Sequence, residues 1–232
     1  MTTAHGKETR TATSPATPTP GPPRPNRHTL PAAALITGAL TIVVLMVFVP
    51  WGQRNDLSYA SLAPIRDAAW AGLLADALAM VAVGTGLAVV VGGLVRGRGR
   101  AWATAGGALT SVGAVVFALG ASAFASLVWH ATDPAVLSPD QGTALLAHAE
   151  ANPGHGLLLH MVGFLTFTVG TLLLAVALLR AGTAPRWLPA AVVVLTVLLF
   201  AFPGRPQDLA QAAQMLVFAA IGVVYLRSED RA

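Results

Sequence analysis

Six apolar stretches, each close to the length that crosses a lipid bilayer, constrain this chain more than anything else in it. They run from about Leu30 to Val49, Ala68 to Val95, Ala101 to Trp129, Gly156 to Leu179, Trp187 to Phe202 and Leu209 to Leu226. A span needs about 20 apolar residues, with a range of about 17 to 25. The fifth stretch lies near the short limit. The second and third exceed the range and are expected to tilt or to project beyond the lipid. Hydrophobic residues make up 55% of the chain and charged residues 10%, against about 25% charged in a soluble domain. Lipid is therefore the expected solvent. The expected fold class is all-α, an integral-membrane six-helix bundle over residues 30–232.

Residues 1–29 form a separate segment with Pro15, Pro18, Pro20, Pro22, Pro23 and Pro25 among Thr, Ala and Arg. Such a stretch buries too little apolar surface to offset its conformational entropy, so it reads as a disordered tail. It does not read as a secretory signal, because the apolar run that follows is of full span length. Orientation follows from the basic residues. With the N-terminus inside, Lys7, Arg10, Arg24, Arg27, Arg96, Arg98, Arg100, Arg180, Arg186, Arg227 and Arg231 are cytoplasmic, and only Arg54, Arg66 and Arg205 are outside. That bias places both termini in the cytoplasm. Trp51, Trp70, Trp102, Trp129 and Trp187 all fall near the expected interfaces. The excess of Arg over a single Lys matches a GC-rich bacterial genome, and the expected location is a bacterial plasma membrane.

The longest outer loop runs from Ala131 to His155. Within it, Ser138-Pro139-Asp140 has the form of a helix start: a cap residue, Pro in the first turn, then an acid. Asn152-Pro153-Gly154 ends the pattern, so a short helix is expected on the outer surface.

The second and fourth stretches align without a gap. Gly72-Leu73-Leu74 falls on Gly156-Leu157-Leu158, Gly86 on Gly170, Leu94 on Leu178 and Arg96 on Arg180. One residue further along, Trp102 meets Trp187. The alignment suggests a duplicated hairpin, spans two and three repeated as spans four and five in the same orientation. Small residues also recur every seven positions, at Gly72, Ala79, Gly86 and Gly93, at Gly106, Gly113 and Gly120, and at Gly156, Gly163 and Gly170. Seven residues are nearly two helical turns, so each set forms a stripe that allows close backbone approach. These stripes are expected to be packing seams.

Asp76 and His160 lie on two of these stripes, at equivalent positions in the repeat. An ionisable residue within a span marks a candidate site. Asp76 precedes Arg96, and His160 precedes Arg180, by roughly 30 Å of helix at 1.5 Å per residue. Both are thus expected at the outer interface, not at the midplane where transporter sites usually lie. A hydrogen bond or ion pair pinning the two hairpins, an outward-facing vestibule or metal site, a proton-coupling role, and unrelated orientations all remain open for the pair. His130, His148 and His155 belong to the same outer side, and His130 and His155 join Asp76 and His160 as candidate binding residues. Imidazoles could hold zinc, copper or haem iron. However, His155 and His160 are separated by about 140° on a helix and do not share a face.

No cysteine is present, which excludes disulfides, thiolate metal sites and thiol nucleophiles. No Gly-rich phosphate loop, His-Glu-x-x-His or Gly-x-Ser-x-Gly occurs, and Arg-Gly-Arg-Gly-Arg at 96–100 reads as an inner-face anchor. The chain is therefore expected to be non-enzymatic, with no catalytic residues, no resident metal and no cofactor. The bilayer is its expected partner, with room for a membrane-protein partner or a second copy of itself. Nucleic acid is not expected, because the arginines sit at helix ends.

Leu178–Pro189 reads Leu-Leu-Arg-Ala-Gly-Thr-Ala-Pro-Arg-Trp-Leu-Pro. It resembles the short inner loop of families of small, uncharacterised actinobacterial multi-span membrane proteins, in which Arg ends one span and Pro-Arg-Trp opens the next. The likeness extends over spans four to six and is weak in the first half. It implies an actinobacterial plasma-membrane protein and transfers no site residue.

Overall fold

A computed structural model describes residues 29–48, 58–152, 154 and 157–229. Among them the chain is helical, with no strand. The elements are α1 (Thr29–Phe48), α2 (Tyr59–Leu62) with a 3-10 turn at Ala63–Ile65, α3 (Arg66–Leu94), α4 (Arg100–Ala131), α5 (Pro139–Ala151), α6 (Leu157–Ala181), α7 (Trp187–Ala201) and α8 (Arg205–Glu229). Five helical stretches are long and apolar enough to cross a membrane: α1, the run from α2 through α3, α4, α6 and α8. Helix α7 is equally apolar but has only 15 residues. The expected tail, apart from Thr29, lies outside the described residues.

Each apolar helix packs on its neighbour in chain order, and α1 closes the ring against α8. Successive helices are antiparallel. Gly84 of α3 faces Ala114 and Thr110 of α4, while Ala88 faces Gly107. The interior is filled by large apolar side chains. Val83, Leu87 and Val90 of α3, Leu174 of α6 and Phe218 of α8 are buried, and the rings of Phe167 and Phe218 meet edge to face at 6.3 Å. The outside is apolar as well, with Leu78 73%, Leu119 59% and Val197 60% exposed. Helices apolar on every side belong in lipid, where burial in protein and exposure to hydrocarbon are alike acceptable.

The small-residue stripes are packing seams, and two of them face each other. A Cβ on Gly106 would lie 2.9 Å from the carbonyl oxygen of Gly170 and the amide nitrogen of Leu174. Gly113 is pressed against the backbone of Phe167, Gly163 against that of Phe117, and Gly120 against that of His160. Helices α4 and α6 thus share one glycine-lined contact, and no pair of helices packs more extensively. The α3 stripe turns elsewhere. Gly86 packs on Leu35 and Pro31 of α1, Ala79 on Gly38 of α1, and Gly93 on the Tyr225 ring of α8. The two proposed hairpin copies therefore pack differently, since the α6–α7 contact is far less extensive than the α3–α4 contact.

At the end opposite the arginine-rich loops, α3 and α4 run on into a second, smaller core of Leu62, Ala69, Val128, Ala131 and Leu146. The second core is thus built on the two overlong stretches. Helix α5 starts where its sequence indicates. Ser138 accepts from the Gln141 amide and Gln141 Oε1 accepts from the Ser138 amide, a reciprocal capping box. Gly142 lets α5 lie against the Ala131 carbonyl, and a Cβ there would also meet the Tyr59 ring at 2.6 Å. The sequence reading missed α2, which is capped by the Ser58 hydroxyl.

Candidate functional site

Asp76 lies in the third turn of α3 and His160 in the first turn of α6, both in the half of the helix nearer α5, and both are half-buried. Their neighbours differ. The His160 ring packs on Phe117 of α4, with centroids 4.0 Å apart and planes at 39°. Its backbone closes over Gly120, so the glycine seam fixes the ring's position. Asp76 sits one turn before Ala79 and Met80, both buried, at the head of the stripe that continues through Val83 and Leu87. It is engaged by a neighbour and is not an unpartnered charge. The seams that carry the two residues thus lead to different helices, α6 to α4 and α3 to α1.

The histidines at this end are dispersed in environment. His130 is exposed in the last turn of α4. His148 is exposed on α5, with its Nδ1 3.3 Å from Nδ2 of Asn152. His155 lies outside the described residues. Among the described residues no three His, Asp or Glu side chains converge as metal ligands.

Two polar arrangements escaped the sequence reading. Nη1 of Arg66, at the start of α3, lies 3.2 Å from Oδ1 of Asp133, just beyond α4, and its Cζ lies 4.3 Å from the centre of the Trp129 ring. Trp129 in turn meets Trp70 at 5.6 Å. This joins the α3 start to the α4 end across the mouth of a cleft lined by Pro64, Arg66, Asp67, Thr132 and Pro134. The second arrangement lies inside the apolar ring. Nε2 of Gln214 on α8 donates to Oγ1 of Thr196 on α7 at 3.0 Å, and that hydroxyl donates to the Val192 carbonyl at 2.7 Å. Gln211 and Gln214 are the two amides of the sixth stretch and were the available signal, while which one is paired, and with what, is set only by the fold.

Comparison of the chain with protein-family models, with curated proteins and with solved structures found no match.

Proposed function

We propose that this chain is a six-span protein of a bacterial plasma membrane, with both termini cytoplasmic, that works without catalysing a reaction, as a structural or partner-binding subunit. The observation that carries this reading is the ring interior, filled by Val83, Leu87, Leu174 and Phe218 and sealed on one side by the α4–α6 glycine seam. A packed apolar axis supports scaffolding better than passage of a polar solute. Helix α7 counts as the fifth span because it sits between α6 and α8 in the alternating ring. At 15 residues it reaches roughly 22 Å, which a bilayer meets by local thinning. The actinobacterial likeness of the α6–α7 loop supports the same setting. Sidedness is tested by cysteines placed at positions 55, 98 and 140 of intact cells: those at 55 and 140 label from outside, and labelling at 98 overturns the orientation.

A second reading rests on Asp76 and His160, half-buried at one end of the ring. There they would line an outward-facing vestibule for a small solute or ion. Asp76→Asn separates the two readings. Under the scaffold reading it lowers thermal stability in detergent. Unchanged stability with loss of a solute flux assigns the vestibule instead. A Soret band, or one equivalent of metal in the purified chain, would assign the outer histidines a redox or metal role.

A further inference from the structure

Five arginines from two loops meet at the end of the ring opposite α5. Arg96, Arg98 and Arg100 come from the α3–α4 turn, and Arg180 and Arg186 from the α6–α7 turn. No Asp or Glu occurs from 77 to 132 or from 151 to 207, so neither segment supplies a counter-charge. The fold presses the two turns together. Gly97 and Gly99 have φ of 77° and 100°, a left-handed conformation that lets the first turn double back. Gly99 then comes so close to α6 that a Cβ would lie 2.8 Å from the Ala177 carbonyl oxygen. One helical turn along, the Arg180 guanidinium lies over the Trp102 ring at 5.3 Å. All five arginines are exposed, and none has an ion-pair partner among the described residues.

Apolar surface borders this charge directly. Leu179 precedes Arg180 and is 45% exposed, and Trp187 follows Arg186 and is 60% exposed. Trp102, beneath Arg180, is 39% exposed. A free anion would use only the guanidinium groups. An amphiphile would use both surfaces, its phosphate on the arginines and its chains on the Leu and Trp side chains. Guanidinium forks match phosphate oxygens two at a time, and tryptophan favours the headgroup level of a bilayer.

We propose that the two arginine turns form a binding surface for the phosphate headgroup of anionic phospholipids. The proposal rests on the chain being a membrane protein and is independent of which end faces the cytoplasm. The probe is phosphatidylglycerol, with phosphatidylcholine as its zwitterionic control, titrated onto the full chain in neutral detergent and counted by native mass spectrometry. The unaltered chain retains phosphatidylglycerol in preference to phosphatidylcholine. With basic residues near a charged surface worth about fivefold each, the triple variant Arg98→Gln/Arg180→Gln/Arg186→Gln loses about a hundredfold in affinity. Arg205→Gln, at the other end, changes nothing. If the triple variant does not fold, Arg98→Gln alone decides, with an expected drop of about fivefold, because that side chain is exposed. Equal retention of the two lipids, or undiminished phosphatidylglycerol binding by the arginine variants, overturns the proposal. Displacement of the lipid by millimolar inorganic phosphate also overturns it, by assigning a free-phosphate site. Detergent has no sides, so failure here leaves the cysteine-labelling result unaffected.

Discussion

The α3–α4 and α6–α7 hairpins align in sequence yet pack in different ways. The first is closed along its length by small residues, with Gly84 on Ala114 and Gly107 on Ala88. In the second, Phe164 and Phe200 meet at 5.9 Å, and α7 leans on α8 through the Gln214–Thr196 hydrogen bond. The glycines of α6 are not spent within its own hairpin. They meet those of α4, the second helix of the first hairpin, in the most extensive contact of the ring. A glycine stripe specifies that a backbone will approach, and its facing partner decides which one. Two stripes that align in sequence can therefore serve different neighbours.

The sharpest way to break this contrast is to substitute equivalent positions of the two copies. Gly163 corresponds to Ala79 in the alignment. Gly163→Val drives a branched side chain into the Phe117 backbone of α4, and backbone atoms yield less than side chains. The expected cost exceeds about 3 kcal/mol, beyond the usual range for overpacking. Little folded protein should survive size-exclusion chromatography. Ala79 already carries a Cβ on its seam with α1, so Ala79→Val should cost about 1–3 kcal/mol and leave a folded, less stable protein. Equal losses would mean that the copies are packed alike.

A smaller effect tests how α7 is held. Gln214→Leu removes the hydrogen bond to Thr196, and such bonds between membrane helices average about 0.6 kcal/mol with a maximum near 1.7. Unfolding in a denaturing-detergent titration should shift by that amount. Combined with Thr196→Val, the double variant should lose little more than either single change. Additive losses would show that the two side chains act separately and that α7 is held by its apolar contacts alone.

Much of this architecture was legible in the sequence because lipid imposes simple rules. The apolar runs locate the helices to within a few residues, since a helix that satisfies its own backbone is the cheapest way through hydrocarbon. The start of α5 was legible because Ser138 and Gln141 are a local device, needing no distant partner. What could not be read was pairing across distance. The seven-residue spacing announces seams but not that α4 and α6 face each other while α3 faces α1. For the same reason the sequence placed Asp76 and His160 at one end but not against their neighbours, and Phe117 as the neighbour of His160 is visible only in the fold. Arg66 with Asp133 and Gln214 with Thr196 are likewise contacts between segments far apart in the chain. Short helix α2 was missed because four residues carry too little periodicity to register.

The smallest expected effect probes the face of α3 turned away from every seam. Gly92 and Gly93 are adjacent, yet a Cβ on Gly93 would strike the Tyr225 ring at 2.7 Å, while one on Gly92 would meet nothing within 4 Å. Alanine at 92 removes backbone freedom from the unfolded chain and adds no clash, an effect of about 0.5–1 kcal/mol in favour of the helix in water. In a membrane the unfolded reference is itself helical, so the gain should shrink toward zero. Gly92→Ala should therefore leave the melting temperature in detergent unchanged or slightly raised, while Gly93→Ala lowers it. A clear loss at Gly92 would mean that something outside this chain packs there. The lipid face of α3 would then be an interface with a second copy or a partner, placed where the first hairpin, unlike the second, has a glycine to offer it.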